Sequence, residues 1–197
     1  PRNGARPHQL FADLATRRAL TMAVDRATLV RSAFDTLART AIGPFSRTQW
    51  TSDTTLTGIA FDARRAAELL DSLGWRVGRD GVFRERNGRQ LAFTILVPAS
   101  SRPRQAAAVL LQAQFKSAGA KVSLEHVDFN AFLDKAQHGG FDALMGGMRT
   151  SPSPRGVRDV WGSPAPGRGA QNWGRWSNAT FDAHVDSALA ATSTAAI

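Results

Sequence analysis

Cysteine is absent from the 197 residues. Its absence excludes disulfides, thiolate zinc sites and cysteine nucleophiles, but leaves the compartment open, because many exported proteins carry none. No apolar run approaches the roughly 18 residues that a membrane helix needs. No signal peptide opens the chain, and no initiating Met does either. The opening Pro1-Arg-Asn-Gly-Ala-Arg-Pro7 reads as the middle of a loop, as expected of a fragment of a longer protein. No internal repeat is found.

The motifs of the common catalytic classes are missing too. There is no Gly-x-Ser-x-Gly elbow, no phosphate loop ending in Gly-Lys-Ser/Thr, and no dinucleotide glycine fingerprint after a strand. His8, His126, His138 and His184 lie far apart and lack the spacing of metal ligands on a helix. His126-x-Asp128 supplies two metal donors at most, and a surface hydrogen bond is the simpler reading. Asp182 and Asp186, one helical turn apart, read as the polar face of a helix before they read as an acid–base pair. No catalytic residue, metal ligand or cofactor is therefore expected.

What is present describes a globular domain: 43% of residues are hydrophobic and 21% charged. At this length about 70% of the unfolded surface can be buried, and a single α/β lobe over residues 1–197 is expected. The formal net charge is +9, and 22 of the 25 basic residues are arginine. A basic balance permits binding to nucleic acid or anionic surfaces. Here the arginines stand singly or in pairs (Arg17-Arg18, Arg64-Arg65), so a solvated basic surface is the leading reading. A basic nucleic-acid-binding α/β domain is the alternative.

The clearest secondary-structure signal runs from Gln90 to Val127. Leu91–Val97 is rich in β-branched and aromatic residues. Pro98 and the Ser100-Ser101 pair break that strand, and Pro103 fits a first helical turn. A helix follows over Arg104–Ala118, with Gly119 as a left-handed stop, and Lys121–Val127 returns as a strand. A crossover of this length makes the two strands parallel and the connection right-handed.

The flanking segments attach to this unit. Asp13 is the expected N-cap of one long helix from Leu14 to about Leu37, with Leu20, Ala23, Val24, Ala27, Val30 and Phe34 on its apolar face. A polar loop anchored by Trp50 reaches Gly58. Asp62 caps the next helix, in which Ala66, Leu69, Leu70 and Leu73 form the buried stripe; Gly74 stops it and Trp75 folds back. Asp80-Gly81 and Asn87-Gly88 mark tight turns, and Val82–Arg86 between them reads as an edge strand antiparallel to Leu91–Val97. Asn130 is the expected cap of a helix over Ala131–His138, and Phe141–Met145 reads as a buried strand. Met148–Arg175, rich in proline and glycine, reads as a long irregular loop, and Asn178 caps a last helix over Ala179–Leu189.

That long loop holds the candidate binding residues Met148, Arg149, Thr150, Ser151, Trp161, Asn172 and Trp173, with Trp176 beside them. Tryptophan faces with one arginine and amide groups suit an uncharged or carboxylate-bearing small molecule. The same tryptophans also suit a plug beneath a loop. The Pro98–Pro103 turn lacks a phosphate-binding glycine pattern and reads as a rim loop.

In order along the chain, several of these segments resemble the family 5 extracellular solute-binding proteins, the dipeptide, oligopeptide and nickel receptors of ABC importers. The resemblance rests on Phe11–Val30 with its arginines and Asp25-Arg26, on Phe61-Asp62 with Ala66–Leu70 and Leu73-Gly-Trp75, on the Asp80-Gly81 and Asn87-Gly88 turns, and on Gly119, Val127, Phe132 and Phe141-Asp142. Asn172, Ser177-Asn178 and Phe181-Asp182 complete it. It implies one lobe of a two-lobed (type II) periplasmic-binding-protein-like fold, a mixed sheet with a right-handed βαβ core and flanking helices. It also implies a non-enzymatic receptor in the periplasm or outside the cell that holds a peptide-like or other small solute between lobes. Its partners would be a permease and an ATPase, with no nucleic acid, and its membrane contact only a lipid anchor preceding these residues. One departure stands out. Peptide receptors of the family carry an aspartate after the strand matching Phe141–Met148, which pairs with the peptide's amino group. Here Met148-Arg-Thr-Ser-Pro-Ser-Pro154 has no carboxylate, and none appears before Asp159. Arg149 repels an ammonium and attracts an anion.

Overall fold

The structure, a computed structural model, describes residues 8–43, 45, 46, 48, 49, 52–149, 151, 153–165 and 170–192. The chain gathers into two compact units. The first comprises Pro1–Thr40 and Ile59–Gly146, the second Ala41–Gly58 and Gly147–Ile197.

In the first unit, Asp13 caps α1 (Leu14–Met22) as its sequence predicts, accepting from the N–H groups of Ala15 and Thr16. The helix does not continue to Leu37. Asp25 accepts from Thr28 N and starts a second helix, α2 (Arg26–Phe34), which a 3-10 turn (Asp35–Leu37) closes. A capping carboxylate in extended backbone offers the chain an alternative to helix at that point. The predicted cap Asp62 opens α3 (Ala63–Ser72). Gly74, at φ +82°, ends that helix, and Trp75 folds back until it is 3% exposed.

Next comes a small antiparallel sheet of β1 (Arg76–Val77), β2 (Arg84–Arg86) and β3 (Arg89–Gln90). Asn87 and Gly88, both at positive φ, make its two-residue turn. The strand expected at Val82–Arg86 therefore exists in part, but it pairs with β1 and β3 instead of the main sheet. The hairpin turn is too short to carry the chain anywhere but back along β2.

The strand–helix–strand unit is present over β4 (Ala92–Pro98), α4 (Arg102–Ser117) and β5 (Lys121–Val127), and β4 and β5 are parallel. Helix α5 (Phe129–His138) starts two residues earlier than expected. Asp128, with two backbone N–H groups on its carboxylate, is the cap instead of Asn130. β6 (Ala143–Leu144) then joins β4 in parallel, giving the order β5-β4-β6.

The core lies on this sheet and under α1, α3 and α4. Leu20, Leu70, Trp75, Leu91, Phe93, Ile95, Val97, Ala108 and Val122 form one buried cluster. An aromatic series extends it: His8 stacks on Phe11 at 4.7 Å, Phe11 meets Phe93 edge-on at 5.2 Å, and Phe93 meets Phe115 at 5.3 Å. His8 Nδ1 faces the N–H groups of Leu10 and Phe11, so Nε2 donates to Asp142 Oδ1 at 3.1 Å, while Asp142 Oδ2 accepts from Thr94 N.

Arg84 joins three of these elements. Its Nη1 donates to Asp71 Oδ1 at 2.6 Å and to the carbonyl of Trp75 at 2.8 Å, and its Nε donates to the carbonyl of Ala118 at 3.1 Å. Gly119, at φ +85°, packs on the stem: a Cβ there would meet Arg84 Cγ at 2.7 Å. Replacing Arg84 with Met should cost about 2–3 kcal/mol in urea denaturation, because two buried carbonyls lose a charged donor while Asp71 stays solvated. Gly119→Ala should cost about 1–3 kcal/mol through strain and the clash together.

The hydrogen bond from Arg84, helped by the charges of Arg84 and Arg76, holds the Asp71 carboxyl below the usual range. The Thr16 hydroxyl does the same for Asp13. The folded state therefore holds fewer protons than the unfolded one below about pH 4. The resulting stability is complete above the unfolded carboxylate values and is lost as pH falls through the lowered ones. The urea midpoint should be flat above about pH 5 and drop below about pH 4, and Asp71→Asn should be less stable at neutral pH with a shallower acid drop.

Candidate functional site

Open α/β sheets take ligands outside the carboxyl ends of their strands, where successive crossovers leave in opposite directions. In the order β5-β4-β6 that switch falls between β4 and β6. The turn Ala99–Ser101 follows β4 there, and Met145-Gly146 follows β6. Gln105 Nε2 donates to the carbonyl of Ala99 and fixes the first turn. The chain leaves the second through Gly146-Gly147 and runs directly into Met148 and Arg149. The sequence-based candidates thus begin four residues after the end of β6.

Those candidates belong to the second unit. Met148 is 41% exposed and Arg149 is exposed. Thr150 and the anchor Trp50 lie outside the described residues. Ser151 is exposed, and its hydroxyl donates to Ser153 Oγ at 3.2 Å. The stretch beyond is not a continuous loop. Ser153 accepts from Gly156 N and caps α6 (Pro154–Trp161), with Pro154 at its first position. Cap followed by proline is a helix start that the surrounding glycines and prolines mask. A Cβ at Gly156 would come within 2.9 Å of Ser151 Cβ, so this glycine lets the helix start pack on a candidate residue.

Trp161 ends α6 and is 42% exposed. Asn172 is placed otherwise: buried, its Nδ2 donates to the carbonyls of Gly162 and Trp176 at 2.9 and 2.7 Å, and its Oδ1 accepts from Trp176 N. Both N–H groups of the amide are thus spent on the backbone. Asn172 draws the residue after Trp161 and the carbonyl of Trp176 around one side chain. Trp173 is half-buried beside it. Trp176 is 45% exposed and meets Phe181 edge-on at 5.1 Å. Asn178 caps α7 (Ala179–Ala190) as its sequence predicts.

Sequence reasoning missed Ser163. Its N–H donates to Asp182 Oδ1, its hydroxyl pairs with Ser177 Oγ, and it accepts from Asn178 N, so it fixes the loop to the start of α7. No local pattern marks such a residue. Asp182 and Asp186 have different partners: the first holds Ser163, and the second faces Arg158 of α6 at 3.8 Å. Asp128 of the His126-x-Asp128 pair is spent on the α5 cap. Among the described residues no group of three or more potential metal ligands comes together, and no helix is long and apolar enough to cross a membrane.

The model of the family described as bacterial extracellular solute-binding proteins, family 5 (middle) matches residues 3–168. The oligopeptide-binding protein AppA of Bacillus subtilis is 28% identical over 152 residues, which are 75% of this chain and 28% of AppA. The structure of that protein in complex with a nonapeptide is similar with a TM-score of 0.80 at 23% identity, covering 91% of this chain and 36% of that one. NikZ from Campylobacter jejuni, in complex with Ni(L-His), is similar with a TM-score of 0.82 at 22% identity, over 95% of this chain and 38% of the other. These neighbours are two-lobed periplasmic binding proteins, and the chain spans about a third of their length. Nothing in these comparisons favours a nucleic-acid-binding domain.

Asn172→Ala should release the turn that presents Trp161 and Trp176. The expected loss is about 1–3 kcal/mol of local stability, read as faster hydrogen exchange at the Trp176 amide, and Asn172→Asp should recover none of it, because a carboxylate cannot donate to the carbonyls of Gly162 and Trp176. Unchanged exchange in Asn172→Ala would show that the turn holds without the amide.

Proposed function

The chain belongs to the family 5 bacterial extracellular solute-binding proteins, and from that membership we propose that it is most of the second lobe of an ABC-importer receptor. The receptor captures a peptide-like or other small solute between two lobes and delivers it to a permease and an ATPase. The match of the family model across residues 3–168 carries this reading. Members of the family are periplasmic or extracellular solute-binding proteins and not enzymes, and the whole receptor is taken to work in the cell envelope. Closure of two lobes by hinge motion would trap the solute without breaking a bond.

Met148, Arg149, Thr150, Ser151, Trp161 and Trp173 are proposed to meet the solute, with Asn172 holding the tryptophan turn in place. Their position directly after the strand at the switch point supports this assignment. Arg149 is exposed, and the stretch through Pro154 has no carboxylate to pair with an amino terminus. The solute is therefore uncharged at this end or presents a carboxylate to Arg149.

Calorimetry of the complete receptor with a panel of small solutes and free or acetylated peptides tests both statements. Saturable binding of at least one small solute is expected, insensitive to acetylation of an amino terminus. For a carboxylate-bearing ligand, Arg149→Ala should weaken binding about tenfold or more. Tight binding that requires a free amino terminus and ignores Arg149→Ala would reject the solute assignment. Salt-sensitive binding to single-stranded nucleic acid, with no small solute bound, would reject the receptor reading.

A further inference from the structure

Both ring nitrogens of His8 are engaged, each in a different role. Nδ1 accepts from the N–H groups of Leu10 at 3.2 Å and Phe11 at 3.3 Å, closing the turn that leads into α1. Nε2 donates to Asp142 Oδ1 at 3.1 Å, and Asp142 Oδ2 accepts from Thr94 N of β4. The side chains of His8 and Asp142 are only 17% and 11% exposed. Neutral imidazole alone can do both, because an acceptor at Nδ1 must be a bare nitrogen.

A proton added to this ring goes to Nδ1, where it points at two N–H donors. Both of those bonds are then lost, since imidazolium has no acceptor. At Nε2 the effect is opposite, because the bond to Asp142 becomes charge-assisted. The other charges around the turn act in the same sense. Arg17 of α1 donates to the carbonyls of Phe11 and Ala12, and Arg89 of β3 donates to Gln9, so two cations already border it. Asp13 is turned to the N–H groups of Ala15 and Thr16. A charged ring is therefore held by Asp142 and rejected by the turn.

We propose that His8 is a proton-operated latch: neutral, it ties the turn over residues 8–12 to Asp142 beside β6; protonated, it stays on Asp142 and lets the turn go. Phe11 is what the latch keeps in place, since its ring lies between His8 at 4.7 Å and Phe93 at 5.2 Å. Acid thus loosens an aromatic contact at the edge of the core while the sheet stays formed. The latch depends on the geometry of this corner, not on what the receptor binds.

Nitrogen NMR of the histidine rings and residue-resolved hydrogen exchange, followed together as the complete protein is acidified, test the latch. While the His8 ring is neutral, its proton should sit on Nε2. As the ring takes up its second proton, protection of the Leu10 and Phe11 amides should fall about tenfold in step with it. The Thr94 amide should keep its protection throughout. His8→Asn offers the same two N–H groups an acceptor that does not titrate, and should remove the acid step. A neutral ring protonated on Nδ1, or Leu10 and Phe11 amides that ignore the ring's titration, would overturn the proposal. An acid step that survives in His8→Asn would also overturn it, by placing the proton on another group. Loss of protection at Thr94 in the same step would sink it too, because the strand would then be opening as a whole.

Discussion

Arg84 is a nearly buried cation, and its three partners come from two distant stretches of chain, the end of α3 and the end of α4. A charge out of water is tolerated only where its donors are satisfied. Two of the acceptors have a further property. Ala118 is the C-cap of α4, and Trp75 follows the end of α3, so the guanidinium sits where both helix dipoles have their negative ends. The backbone of Arg84 is bound as well, its N–H to Gly119 O and its carbonyl by Leu91 N. The small antiparallel sheet is thereby fixed to the edge from which β4 starts. Gly119 has two reasons to be glycine, its positive φ and the arginine stem against it.

The same use of arginine recurs, and it changes what the net charge means. Arg17 donates to the carbonyls of Phe11 and Ala12, Arg26 to that of Ile59, and Arg86 to that of Leu73 while lying over the Trp75 ring at 4.5 Å. Arg64 pairs with Glu68 and Arg158 with Asp186. A planar group with five donors can bridge carbonyls that helix ends and loops leave without partners. Composition counts these residues as a basic surface. The structure uses several of them as links within the fold, which removes much of the case for a nucleic-acid footprint.

Signals that act within a few residues were legible: the Asp13, Asp62 and Asn178 caps, the Gly74 and Gly119 stops, the Asn87-Gly88 turn, and the parallel pairing of β4 with β5. Competition between local signals was harder to read. The apolar spacing from Leu20 to Phe34 passes through Asp25 without interruption, yet the cap breaks the helix there. Asp128 and Asn130 are both good caps, and the first in the chain took the role. The α6 start was hidden because proline and glycine, which usually mark loops, serve here as a first-turn residue and a close-packing one. Strand partners, and residues such as Ser163 and Asn172 that act across many positions, have no local signature. Asn172 could be seen as a polar residue among tryptophans, but nothing in its neighbourhood shows that the backbone consumes its amide.

The fold narrows the function less than the family does, because one scaffold serves different cargo. AppA in complex with a nonapeptide and NikZ in complex with Ni(L-His) both resemble this chain with TM-scores of at least 0.80. The parallel strands cannot choose between such ligands, since their side chains are spent on the core. On the proposed assignment, choice falls to the stretch that follows β6. In this chain the stretch after β6 runs Met145-Gly146-Gly147-Met148 to an exposed Arg149 and contains no carboxylate before Asp159. On that assignment, an ammonium brought to that stretch would meet a like charge, whereas a carboxylate would meet a planar donor. Discrimination would then, on the same assignment, rest on repulsion as much as attraction, and on side chains outside the strands.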